Sequence, residues 1–179
     1  MNKILNPKKI RLLIFDIFFL ILLIVVDQFT KYLAVIKLNN KQAYSIIDGV
    51  LEFNYLENRG AAFGMLQNQK IFFIFVAVIF LVVIVFVLIK TPDHKKYVWL
   101  HLLLVMIAGG AIGNMIDRIR LDYVVDFICF VLINFPIFNV ADMYVTIATF
   151  ILVIFVLFVY KEEDFSFLSM KTQKYRQPK

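Results

Sequence analysis

Residues 71–89 read IFFIFVAVIFLVVIVFVLI, nineteen residues without a charged, polar or helix-breaking side chain. About 20 mostly apolar residues cross the hydrocarbon core of a bilayer as a helix, so this stretch is read as a membrane span. Working outward, three more runs of that length appear. Leu12 to Ile36 is apolar except for Asp16 and a polar cluster at Asp27, Gln28, Thr30 and Lys31. Val98 to Ile116 carries His101 and, near its end, Asn114, and Phe138 to Tyr160 carries Asn139, Asp142 and two threonines. The sequence therefore predicts an all-α polytopic membrane protein with four transmembrane helices.

The composition agrees with that reading. Of 179 residues, 62% are hydrophobic and 18% charged, against roughly 45–50% apolar in a soluble domain. A soluble globule, a disordered chain and a collagen-like repeat are all excluded. A single cysteine, Cys129, rules out an internal disulfide framework, and with only His94 and His101 beside it a metal site is not expected. The net charge of +6 sits in short runs between apolar stretches rather than on one basic face, which argues against a nucleic-acid partner.

The basic N-terminus (Lys3, Lys8, Lys9, Arg11) imitates a secretory signal, but no small-residue cleavage site follows, so it reads as a retained first helix. Placing it inside puts twelve Lys and Arg on the side of both termini and seven on the other, which predicts cytoplasmic termini. One membrane domain over residues 1–160 and a charged cytoplasmic tail over 161–179 follow. The polar residues are distributed unevenly: Asp27, Lys31, Asn58, Arg59, Asn114, Asp117, Arg118, Asp126, Asn139 and Asp142 all fall toward the outer side.

The first outer connection, 37–70, is too long for a simple link. Asp48-Gly49 is a turn dipeptide, and Leu51, Phe53 and Tyr55 alternate with Glu52 and Asn54, which predicts a small extracytoplasmic β-structure there. Asn58-Arg59-Gly60 is a second turn, and Ala61 to Leu66 is apolar enough to lie in the membrane interface.

Ionisable groups at membrane depth need a partner or a task. Asp27 and Lys31 are spaced to pair along one helix. Asp16 lies near Arg11 and is read as neutralising it or snorkelling to the inner surface, without a role. His101 is read as a packed residue or an inner-surface anchor, and Cys129 as buried bulk. Gly109 and Gly113 have the spacing of a close helix contact, and Asn114, Asp117 and Arg118 share the face that follows. Asp126 and Asp142 differ, because each is embedded in apolar sequence with no basic residue within a turn. Two such carboxylates brought together share a proton, the state in which one activates water while the other hydrogen-bonds a scissile carbonyl. The residues alone leave this catalytic reading level with a non-enzymatic one, a membrane protein that conducts protons or binds lipid through the same carboxylates.

Five motifs taken together carry a resemblance: Asp27-Gln28-Phe29-Thr30-Lys31, Glu57 to Gly64, Gly109 to Arg118, Val124-Val125-Asp126-Phe127, and Phe138-Asn139-Val140-Ala141-Asp142. In order and spacing they resemble the bacterial lipoprotein signal peptidases, or signal peptidase II, over roughly Asp16 to Tyr160. The resemblance implies an aspartyl endopeptidase of the bacterial cytoplasmic membrane that cuts prolipoproteins before a diacylglyceryl-modified lipobox cysteine, with its site near the outer surface. It implies Asp126 and Asp142 as the catalytic pair, and Asp27, Lys31, Asn58, Gly60, Asn114, Asp117, Arg118 and Asn139 as residues that shape the site or position substrate. It further implies no metal and no cofactor. The expected partners are prolipoprotein substrates and membrane lipids, with the enzyme a monomer. One departure stands out: Asp122 occupies a position where the family usually has glycine, and Asp tolerates a positive φ better than most residues.

Overall fold

Pro7, in the first turn where its missing N–H is harmless, begins α1 (Pro7–Leu38) behind Asn6, whose side chain accepts the Lys9 N–H at 2.8 Å. The computed structural model describes residues 6–61 and 65–168. Along its 32 residues α1 buries one stripe, Lys9, Asp16, Leu23, Asp27, Lys31 and Ala34, while Ile14, Phe18, Ile21 and Val25 stand exposed. Such spacing keeps one face toward a partner helix. Among the described residues three helical stretches, α1 not among them, are long and apolar enough to cross a membrane, against the four expected. They are α2 (Lys70–Lys90), α3 (Val98–Leu121) with the 3₁₀ turn before it, and α4 (Val140–Ile154) with a π-helical continuation over Phe155–Val159.

Helix α3 is central and packs against α1, α2 and α4. Its small residues set how closely. A methyl group on Gly110 would run into the Ala141 carbonyl and Val145, and one on Gly113 into the Asp27 carboxylate. Glycine at these two positions lets the first turn of α4 and the polar end of α1 lie directly on α3. The result leaves Ala141 and Asp27 with no exposed surface. A core of Leu23, Ile84, Leu88, Leu100, Leu104 and Ala108 fills the half of the bundle away from that end.

The expected hairpin is present as β1 (Tyr44–Ile47) and β2 (Leu51–Asn58), turning at Gly49 with φ 71°. The sheet is not confined to the first connection, however. A third strand, β3 (Val124–Phe130), comes from the segment between α3 and α4 and pairs antiparallel with β2, Leu56 facing Asp126 and Asn58 facing Val124. The β-branched and aromatic run around Asp126 favours a strand, and one face of it packs on Ala34 of α1. Helix α3 also runs past the expected Ile116, and the corner after it is made by Asp122 at φ 68°, the left-handed conformation its type tolerates. Of the proposed interfacial segment Ala61 to Leu66, residues 62–64 lie outside the described residues, and Met65 and Leu66 form an exposed turn.

At the opposite end of the bundle Asp16 does not neutralise Arg11. It is buried, and its Oδ2 lies 2.6 Å from His101 Nδ1. Lys9 Nζ, also buried, donates to the carbonyls of Leu88 and Thr91 at 2.6 and 2.5 Å and meets His101 Nε2 at 3.3 Å. An ammonium can only donate, so Nε2 accepts and Nδ1–H donates to Asp16. Lys9 thus satisfies carbonyls at the α2 C-terminus, where a cation suits the helix dipole. The segment after Tyr160, read only as a charged tail, folds back as a 3₁₀ helix over Glu162–Leu168. Lys96 pairs with Asp164 at 2.5 Å, Tyr97 donates to the Asp164 carbonyl, and Phe165 packs on Tyr160. Residues 169–179 lie outside the described residues.

Candidate active site

Strand β3 and the first turn of α4 converge where α1 and α3 present their polar ends. Asp126 is held in β3 with 1% of its surface exposed. Asp142 sits at the third position of α4, in a reciprocal cap: Asn139 Oδ1 accepts the Asp142 N–H at 3.0 Å, and Asp142 Oδ2 accepts the Asn139 N–H at 3.1 Å. A carboxylate at N3 satisfies an orphan helix donor and sits at the positive end of the helix dipole.

The two carboxyl groups are tied together by amides. Asn139 Nδ2 donates to Asp126 Oδ1 at 2.6 Å and to Asn114 Oδ1 at 3.1 Å. Asn58 Nδ2 holds Asp126 Oδ2 at 2.8 Å, and Asn114 Nδ2 holds Asp142 Oδ1 at 2.7 Å. Every carboxyl oxygen of the pair is therefore oriented by a donor from a different backbone segment or a cap. Burial, and next the negative charge of Asp142, push the Asp126 carboxyl up to about 7, against the opposing hydrogen bonds from Asn58 and Asn139.

Behind the pair, Lys31 Nζ donates to Asp27 Oδ2 at 3.0 Å, Asp117 Oδ2 at 2.9 Å and Asn114 Oδ1 at 2.8 Å, which uses all three of its protons. The Asp27–Lys31 pairing expected along α1 is present, and Asp117 extends it across to α3. Arg118 turns the other way. Its Nη2 donates to the Gly60 carbonyl at 3.1 Å, and its guanidinium lies 4.5 Å from the centre of the Phe73 ring.

In front of the pair opens a cavity of about 580 Å³. Asn58, Gly60, Asn114, Arg118, Asp126 and Asp142 line its polar side, and Phe130, Pro136, Phe138, Met143 and Ile147 its apolar side. Of the ten residues singled out in the sequence, these six face the cavity directly. Asn139 bridges the two carboxyl groups, and Asp27, Lys31 and Asp117 stand behind. The apolar wall and Phe73 have no signal in the sequence, because an aromatic in a wholly apolar span carries no mark of a site. Gln28, within the first motif, is a further residue to which the sequence reading gives no role. Among the described residues no group of three or more His, Cys, Asp or Glu is placed to hold a metal ion.

Comparison with known proteins decides what this cavity belongs to. A family model for signal peptidase (SPase) II matches residues 19–158. The chain belongs to the signal peptidase II family. It is 50% identical over 127 residues to the lipoprotein signal peptidase of Caldanaerobacter subterraneus subsp. tengcongensis, covering 70% of this chain and 84% of that one. It is 44% identical over 142 residues to that of Streptococcus thermophilus, covering 79% and 90%. A solved bacterial membrane enzyme superposes with a TM-score of 0.71 at 30% identity, covering 89% of this chain and 94% of the other. As a signal peptidase II the protein is an aspartic-type peptidase and a multi-pass bacterial membrane protein. Membership in a peptidase family settles, in favour of the enzyme, the choice that the residues alone left open.

Proposed function

We propose that the protein removes signal peptides from prolipoproteins, cutting before a diacylglyceryl-modified lipobox cysteine, with Asp126 and Asp142 as the catalytic pair. The observation that carries the reading is the pair itself: two carboxyl groups from separate elements, locked by Asn58, Asn114 and Asn139, at the wall of one cavity. Asp126, the more buried of the two, carries a proton, because burial pushes its carboxyl up to about 7. Asp142 takes a proton from water as its oxygen attacks the scissile carbonyl carbon, while the Asp126 proton hydrogen-bonds the carbonyl oxygen. Collapse of the tetrahedral adduct returns a proton to the leaving amine, and no bond to the enzyme forms.

The half-polar, half-apolar cavity suits a peptide bond presented beside a lipid-modified or apolar segment. Arg118 and Gly60 shape its rim on the α2 side, and Asp27, Lys31 and Asp117 support it from within. With α1 as the fourth span, the bias of basic residues supports cytoplasmic termini and a site near the outer surface. The enzyme works as a monomer among membrane lipids.

The apolar interior supports hydrolysis over proton conduction. Asp16 at one end of α1 and Asp27 at the other are eleven residues apart, about 16 Å at 1.5 Å per residue, and Leu23 against Ala108 and Gly109 fills the interval. Among the described residues no chain of polar side chains joins the two clusters. The test is cleavage of a lipobox peptide by Asp126→Asn and Asp142→Asn. Each is expected to lose roughly 10²- to 10⁴-fold in kcat while eluting as folded protein. Full activity in both variants refutes the dyad.

A further inference from the structure

The two carboxyl groups sit on different elements, so something must fix the distance between β3 and the first turn of α4. Two buried carboxylates behind the site make that connection. Asp117 Oδ2 accepts the backbone N–H of Val125, the residue before Asp126, at 3.2 Å. Asp27 Oδ1 accepts the backbone N–H of Ala141, the residue before Asp142, at 3.0 Å. Each support therefore grips the backbone one residue upstream of a member of the pair.

Asp27 and Asp117 are 0% and 3% exposed, and Lys31 stands between them. Two carboxyl groups this deep need donors to hold them side by side. Lys31 has no proton left, since its third serves Asn114. The remaining bridge is Gln28. Its Nε2 donates to Asp117 Oδ1 at 2.9 Å and lies 3.2 Å from both Asp27 Oδ2 and the Gly113 carbonyl. Every one of these neighbours is an acceptor, so the amide is held with its nitrogen inward.

We propose that Gln28 is a positioning residue for the reaction: with Lys31 it yokes Asp27 to Asp117, and so sets the separation of Asp126 and Asp142. The inference rests on the catalytic reading of that pair. Gln28 itself touches neither carboxyl group and is absent from the cavity wall, so its effect passes through the backbone at Val125 and Ala141. Loosening the yoke lets β3 and α4 drift apart. A wider pair aligns water less well, and it also weakens the influence of one carboxyl on the other, which lowers the pH at which the shared proton leaves.

The experiment compares parent, Gln28→Met and Gln28→Lys in detergent, with a synthetic diacylglyceryl-cysteine lipobox peptide, recording kcat and KM across pH. Methionine fills the space without donating, whereas lysine restores a donor to the two carboxylates. Misplacement on the scale of an ångström costs up to about 100-fold in rate, so Gln28→Met is expected to lose about 10- to 100-fold in kcat with KM within twofold. Its alkaline limb in kcat/KM moves to lower pH, and Gln28→Lys recovers most of kcat. Gln28→Ala, which vacates the space and has no donor, follows Gln28→Met and guards against a packing effect peculiar to methionine. Parental kcat and an unmoved alkaline limb in both donor-free variants overturn the proposal, as does a loss confined to KM. Asp126→Asn in the same assay separates the two levels. If it is inactive while Gln28→Met is parental, only the yoke fails; if it cleaves normally, the catalytic reading fails with it.

Discussion

Replacing Asp126 by asparagine is expected to abolish the pH dependence of stability that this one side chain imposes. Its carboxyl lies at about 7 in the fold and near 3.9 in an unfolded chain. Between those values the native state holds a proton that the unfolded state has released, so stability falls as pH rises, by about 1.4 kcal/mol per pH unit. From pH 5 to pH 7 that amounts to roughly 2 kcal/mol, because the slope fades as the folded value is reached, and above it the contribution is flat. For a chain of this length it corresponds to roughly 4–9 °C in melting temperature. Asparagine carries no such term. It does turn one amide N–H toward a donor, Asn58 or Asn139, at a pH-independent cost of about 1–3 kcal/mol. The assay is thermal unfolding of both proteins in one detergent at pH 5, 6, 7 and 8, read as the difference between them, so that titrations common to both cancel. The difference should shift in favour of the variant as pH rises, and then level off. Parallel curves across the range would refute the assignment of a raised, proton-holding Asp126.

The buried contacts at the far end of the bundle give a second expectation. Lys9→Met and Asp16→Leu each break the Lys9–His101–Asp16 chain and should cost about 3–5 kcal/mol, with the double variant costing less than the sum and kcat unchanged in all three; a denaturation series with a parallel activity assay checks both halves. Gly110→Ala forces a methyl onto the Ala141 carbonyl, and overpacking of this kind costs about 1–3 kcal/mol. Because Ala141 precedes Asp142, kcat should fall together with melting temperature. Asp122→Gly keeps the left-handed corner at φ 68° and should fold and cleave like the parent, whereas Asp122→Val, which disfavours that conformation, should yield less folded protein by gel filtration.

Most of the architecture was legible because membrane burial writes itself into composition. The span of α2 is unambiguous in its nineteen apolar residues, and the Asp48-Gly49 turn with its alternating partner strand marked the hairpin. Strand β3 was less visible, since Val124 to Ile128 is short and apolar, and such a run reads equally as the edge of a membrane segment. Its strand character depends on β2, which lies far off in sequence. Asp126 and Asp142 stood out as carboxylates without local partners, and the Asn139 to Asp142 spacing is that of a reciprocal helix cap. Their juxtaposition is tertiary and has no local signature. The same holds for Asp16 and His101, 85 residues apart: the local sequence offers Asp16 only Arg11, whereas its partner sits on another helix. The fold-back of Glu162–Leu168 escaped notice because two or three aromatic anchors in a charged segment make no periodic pattern.

The most direct test of the account is cleavage of a lipobox peptide, with and without diacylglyceryl on its cysteine, by purified parent, Asp126→Asn and Asp142→Asn. The account predicts lipid-dependent cutting before the cysteine by the parent alone, with both variants folded and inactive. Equal cutting by either variant, or indifference of the parent to the lipid, would contradict it.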